Sequence, residues 1–156
     1  MSQPIKNKKF VKKSYKPRTK RKHQEYGTSK LEERVAKDFL DKLGVKYVYQ
    51  FKAEDIGRYY DFMIYTESGG RILLEIDGDY FHGYGLKYEE KNPMQKHSEH
   101  VDKIKDEWAM WHGIPLVRIW EHDVNDKSEK VMKMLKEMVG KTEKKTLINE
   151  NKKKRH

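Results

Sequence analysis

The stretch that most constrains this chain is Arg71–Gly83, which reads RILLEIDGDYFHG. Ile72, Leu73 and Leu74 form an apolar run long enough for a buried strand, and Glu75, Asp77 and Asp79 follow at alternate positions before His82. Alternate residues of a strand share a face, so Glu75 and Asp77 are expected to point the same way. Gly78 lets the chain turn and carries Tyr80, Phe81 and His82 over the strand end. Asp79 is read as a turn or surface residue. Clustered carboxylates repel one another, and a divalent cation or a shared proton offsets the repulsion. The stretch therefore predicts an acidic site at a strand end, of the kind that metal-dependent phosphodiester hydrolysis requires.

The flanking pattern supplies the rest of a fold. Ser29 and Glu32 have S-x-x-E capping-box spacing, and Leu31, Val35, Phe39 and Leu43 form one apolar stripe that Gly44 ends. Glu32 has two readings, a capping-box acid or an inward-pointing carboxylate. Val45–Phe51 and Tyr59–Tyr65 read as strands joined by a polar connection, with Ser68-Gly69-Gly70 turning into Arg71–Ile76. Asp61 is a lone acid in the apolar second strand. A buried carboxylate is costly unless it is paired, hydrogen-bonded or on a metal, so Asp61 is read as functional.

Gly83–Pro93 reads as a loop. A helix follows over Gln95–His112, with Val101, Ile104, Trp108 and Trp111 on one face and Asp102 and Asp106 beside it. Ile114–Trp120 is a strand interrupted by Arg118, and Glu121-His122-Asp123 reads as its solvated end. A last helix carries Val131, Met134, Leu135 and Met138 and closes at Gly140. The order α-β-β-β-α-β-α predicts an α/β fold with a mixed sheet of about four strands flanked by helices.

The chain has 156 residues, no cysteine and a net charge of +10, unevenly spread. Residues 1–25 hold ten Lys/Arg against one acid and residues 141–156 hold seven against two, which leaves 18 against 22 in residues 26–140. An acidic body between basic tails suits a carboxylate site held on a polyanion. The division predicted is a disordered basic arm over 1–27, one domain over 28–140 and a basic tail over 141–156. Within the arm, Lys12, Lys13, Arg18, Lys20, Arg21 and Lys22 are the expected DNA phosphate contacts. Lack of cysteine excludes disulfides and thiolate zinc sites. With no apolar segment of membrane-spanning length, the expectation is a soluble, intracellular protein acting in the cytoplasm or on the nucleoid.

A hairpin brings Asp61 within reach of Glu75-x-Asp77. Hard oxygen ligands of this kind prefer Mg²⁺, with Mn²⁺ as a substitute. His82 is the natural proton-transfer group, because imidazole titrates near neutral pH, and Asp102 is placed to orient it.

Five segments in order carry a family resemblance: S-x-x-E at Ser29–Glu32, Tyr60-Asp61-Phe62, EIDGDYFHG at Glu75–Gly83, D-x-x-K at Asp102–Lys105, and LVRIWEHDV at Leu116–Val124. With them the chain resembles the PD-(D/E)xK nuclease superfamily, and in detail the very short patch repair endonucleases. Their relatives with an E-D-x-H-D arrangement occur in phage and bacteria, some as homing endonucleases. The resemblance implies a restriction-endonuclease-like core and a Mg²⁺-dependent endodeoxyribonuclease; a small monomer with one site most naturally nicks, with the oligomeric state and the choice of nick or double-strand cut left open. It implies Glu32 as the first-helix acid, Asp61 as the central metal-binding acid, and Glu75, Asp77 and the Ile76 carbonyl at the acidic strand end. His82 becomes the catalytic histidine and Asp102 the acid that follows it. Asp77 stands where the superfamily has its lysine, and the repair enzymes' zinc-binding cysteines are missing. Rival readings are a non-catalytic nucleic-acid-binding module on the same fold and a structure- or RNA-directed nuclease subunit. Specificity is expected from the loops, the tails or a protein partner.

Overall fold

A computed structural model describes residues 29–140. The sequence-based assignments over 1–27 and 141–156, including the six basic DNA contacts of the arm, lie outside the described residues.

The first helical segment opens at Ser29, whose Oγ accepts the Glu32 N–H at 3.1 Å. It runs through α1 (Lys30–Val35), a π-helical turn (Ala36–Leu40) and α2 (Asp41–Leu43), and ends on Gly44 with a left-handed φ of 67°. Only glycine adopts that conformation without cost, which is why the helix stops there. Three strands follow: β1 (Lys46–Ala53), β2 (Arg58–Tyr65) and β3 (Arg71–Asp77). They form an antiparallel meander. α3 (Pro93–Trp111) then crosses over to β4 (Leu116–Trp120), which pairs parallel to β3. The four-stranded sheet is mixed and open, in the order β1-β2-β3-β4. α4 (Glu121–Asp126) and α5, over 128–140, complete the described chain.

Two apolar layers explain why β3 has no polar stripe. One joins Ile72, Leu74 and Ile76 to Val35, Phe39 and Leu40 of the first helical segment and to Val131 and Leu135 of α5. The other joins Leu73 to Tyr60, Met63, Ala109 and Ile114. With helices on both faces, Ile72, Leu73 and Leu74 are each wholly buried. Each contributes about 1.5–3 kcal/mol by leaving water. That burial offsets the cost of the two acids at the strand's end, Glu75 and Asp77, which are each only 5% exposed.

Three expectations need correction. β1 continues two residues beyond Phe51 to Ala53, because its ladder with β2 runs on to Ala53↔Arg58. Glu121-His122-Asp123 opens a short helix rather than ending a strand. In α3 the inward face holds Gln95, Lys105 and Ala109, whereas Trp111 is 85% exposed. Lys105 meets Glu75 on this inward face and Ala109 and Trp108 pack into the core there, whereas Trp111 lies about a third of a turn around the helix from Lys105.

Candidate active site

The acids meet at the C-terminal end of β3, and a distortion in β2 makes the meeting possible. In a regular strand Tyr60 and Phe62 would share a face, yet they pack into opposite layers. The switch falls at Asp61. Opposite it, Gln50 has a left-handed φ of 54°, and neither residue enters the β1–β2 register. Such breaks re-aim a side chain at the cost of ladder hydrogen bonds. Here the acid itself supplies a replacement, since Asp61 Oδ2 accepts the Ile76 N–H at 2.7 Å.

Glu32 resolves its two readings. Its N–H is capped by Ser29, but its carboxyl does not return to the cap. It accepts hydrogen bonds from the Tyr49 hydroxyl and, at 3.4 Å, from Gln50 Nε2, and it hydrogen-bonds Asp61. Burial, reinforced by the Asp61 charge, pushes the Glu32 carboxyl up to about 7. Burial also raises Asp61, while the Ile76 N–H and Lys105 act against it. Both carboxyls are thus held above the ordinary carboxylate range, chiefly by burial.

Glu75 points toward α3. Its Oε1 is paired with Lys105 Nζ, and both side chains are almost fully buried. Burial holds the Lys105 ammonium down at about 8, opposed by the Asp61 charge. Tyr60 fixes this lysine twice. The Tyr60 hydroxyl donates to the Lys105 carbonyl at 2.6 Å, and its ring lies 4.9 Å from Nζ.

The second half of the site is built on Arg118 of β4. Its Nη1 is 3.3 Å from Asp77 Oδ1 and 3.3 Å from Asp102 Oδ1, and its Nη2 donates to Asp106 Oδ1 at 2.8 Å. His82 lies among these acids. Its Nδ1 is 2.8 Å from Asp102 Oδ2, so Nδ1–H donates to the carboxylate and leaves Nε2 facing Asp77 Oδ1 at 3.6 Å. The bond to Asp102 raises the His82 pKa, against desolvation. Burial raises the Asp77 carboxyl, and the His82 and Arg118 charges counter it.

Glu32, Asp61, Glu75, Ile76, His82, Asp102 and Lys105 all line one cleft of roughly 470 Å³, rimmed by the exposed rings of Tyr80 and Phe81. Asp77 is not among its lining residues and faces Arg118 and His82 instead. Among the described residues, the grouping of ligand atoms tight enough to hold a metal ion is Asp77, His82 and Asp102, within 4.8 Å of one another. That differs from the Asp61, Glu75, Asp77 and Ile76 set expected from sequence.

The loop that presents His82 is fixed by local bonds. His82 N–H donates to the Gly78 carbonyl at 3.0 Å, and Gln95 Nε2 donates to the Tyr80 carbonyl at 2.6 Å. Gly83 is left-handed at 64°, and a Cβ there would press on the Lys91 stem at 3.1 Å. Asp79 stays out of the acid cluster and pairs with His122 Nδ1 at 2.8 Å.

Sequence reasoning missed the two cations. Arg118 carried the same signal as Asp61, a lone charge in an apolar strand. Lys105 follows Val101 by four residues and precedes Trp108 by three, which puts it on the inward face.

No protein-family model, curated protein or solved structure matches this chain. The resemblance therefore rests on the five sequence segments and on how their residues are arranged. Among the described residues, no helix is long and apolar enough to cross a membrane.

Proposed function

We propose that this chain is a metal-dependent endonuclease that hydrolyses phosphodiester bonds in DNA, with a restriction-endonuclease-like core of the very short patch repair type. The observation that carries the reading is the convergence, in one cleft, of Glu32, Asp61 and Glu75 from three different elements with the His82–Asp102 pair. The order helix, three-stranded meander, crossover helix and parallel fourth strand is in keeping with that core.

The charges indicate where a cation fits. On the Asp77 side, Arg118 already spans Asp77, Asp102 and Asp106. On the other side three carboxylates, Glu32, Asp61 and Glu75, face one ammonium, and burial, reinforced by the Asp61 charge, raises the Glu32 carboxyl to about 7. Asp61, Glu75 and the Ile76 carbonyl are assigned as the cation ligands, with Glu32 and Asp77 flanking them. Hard oxygen donors of this kind suit Mg²⁺ or Mn²⁺. When bound, such a cation polarises a phosphoryl oxygen and makes water a better nucleophile.

The chain's own residues do the rest. Asp102 fixes the His82 tautomer, so Nε2 is the atom that gives or takes a proton. Tyr80 and Phe81 offer faces on which bases stack, and the basic tails supply salt-dependent contacts to phosphates. One cleft per chain favours nicking over double-strand cleavage.

The test is cleavage of supercoiled plasmid, and of linear, mismatched and branched DNA, with Mg²⁺ or Mn²⁺. Wild type is expected to nick, while Asp61→Ala and His82→Ala are not. Absence of cleavage on every DNA substrate would sink the proposal. Cleavage of RNA alone would redirect it to an RNA-directed nuclease. Salt-sensitive DNA binding without cleavage, indifferent to Mg²⁺ and to Asp61→Ala, would favour a binding module.

A further inference from the structure

The cation reading leaves one buried charge without a task. Lys105 comes from α3, and the residue is 8% exposed. Its Nζ is in ion-pair contact with Glu75 Oε1. Among the described residues Lys105 makes the only ion pair of Glu75. Arg118, the half-buried cation nearby, is engaged by Asp77, Asp102 and Asp106.

A divalent cation that shares a carboxylate oxygen with an ammonium is disfavoured, because the two positive charges repel at that range, and withdrawal of the ammonium relieves the repulsion. Withdrawal is available without moving the helix. The Lys105 carbonyl is tied to the Tyr60 hydroxyl at 2.6 Å, and the face of the same ring lies 4.9 Å from Nζ. A lysine stem is flexible and Lys105 lines the open cleft, so its ammonium can swing off Glu75 into the cleft while staying near the Tyr60 ring that it already faces.

Resting on the metal assignment above, we infer that Lys105 is the counter-ion a divalent cation must displace from Glu75, and that it thereby sets the cation affinity of the cleft. Lys105 is a positioning residue in this sense. It holds Glu75 in place before the cation binds, and its displacement weakens cation binding.

The experiment measures Mn²⁺ binding by titration calorimetry, and thermal unfolding with and without Mn²⁺, for the full chain and for Lys105→Met, Lys105→Gln and Lys105→Arg. Removing the charge is expected to tighten Mn²⁺ binding about tenfold or more, because the repulsion between ammonium and cation is gone. It is also expected to lower the Tm without Mn²⁺ and to enlarge the rise in Tm that Mn²⁺ produces. Lys105→Arg, which keeps the charge, should stay near wild type. Equal or weaker Mn²⁺ binding by folded Lys105→Met, against a wild type that binds, would overturn the inference and leave the metal reading intact. If both neutral variants fold only with Mn²⁺ present, the cation has replaced the lysine and the inference holds. If both remain unfolded even with Mn²⁺, it fails. A wild type that takes up no Mn²⁺ overturns the metal reading itself.

Discussion

Asp61 Oδ2 accepts the Ile76 N–H at 2.7 Å, so a side chain from one strand does the work of a ladder carbonyl for the next. This ties a functional acid to the fold. Asp61→Asn keeps an oxygen acceptor, removes a buried charge and is expected to be near-neutral or stabilising. Asp61→Ala strands the Ile76 N–H and should cost about 1–3 kcal/mol. Both should lose nicking activity by at least about 100-fold. Urea unfolding alongside plasmid cleavage separates the two effects. Equal stabilities for the two variants would refute the hydrogen-bond role.

Glu32 gives a stability that depends on pH with a definite sign. Its carboxyl is at about 7 in the folded protein against 4.5 as the ordinary value. The folded state therefore holds the proton more tightly than the unfolded chain does. Stability from this group is fully present below pH 4.5 and is lost as pH rises toward 7. A shift of that size corresponds to about 3 kcal/mol, reduced to ~1–2 kcal/mol by the partial exposure of Glu32. In metal-free buffer, Glu32→Gln should abolish this contribution, so that the variant gains on wild type between pH 5 and pH 8. Denaturant midpoints across that range test it, and parallel pH profiles would count against it.

His82 is expected to titrate above its ordinary value of 6.5, chiefly because it bonds Asp102. The protonated ring is thus favoured by folding, and its stabilising contribution is present below pH 6.5 and fades as pH rises through the raised pKa. Asp102→Asn should lower that pKa, which an NMR titration of the imidazole in metal-free protein would reveal. An unchanged titration would mean that the 2.8 Å contact does not govern the ring.

Arg118 engages three acids with one planar group, and a lysine cannot span them. Arg118→Lys should therefore behave nearly as badly as Arg118→Met. Breaking a fully buried pair costs about 3–5 kcal/mol. With the Arg118 side chain 23% exposed, about 2–3 kcal/mol is expected here. Full rescue by lysine in thermal unfolding would show that charge alone matters.

Much of the architecture was legible because it is local. The apolar run Ile72–Leu74, the Ser29 cap with the stripe Val35 and Phe39, and the Gly69-Gly70 turn are each written within a few consecutive residues. The order of elements, and the gathering of Glu32, Asp61, Glu75, His82 and Asp102 at one strand end, followed from these and from the resemblance. The helical start at Glu121 was not legible, since no side chain caps it. Nor was the inward turn of α3, because a lysine at an apolar position signals burial only when its partner acid is known.

The sequence by itself determined which segments are strands and helices and which residues are chemically able to form a site, because periodicity and residue type are properties of short stretches. Only the tertiary structure decided how charge is divided within RILLEIDGDYFHG. It turns Glu75 to Lys105 and Asp77 to Arg118 and His82, and buries Asp61 beside Glu32. Those pairings join residues as far as 41 positions apart, the separation of Asp77 and Arg118. The physical reason is that a buried charge takes its partner from whatever the packing brings near, and one-dimensional spacing does not encode that.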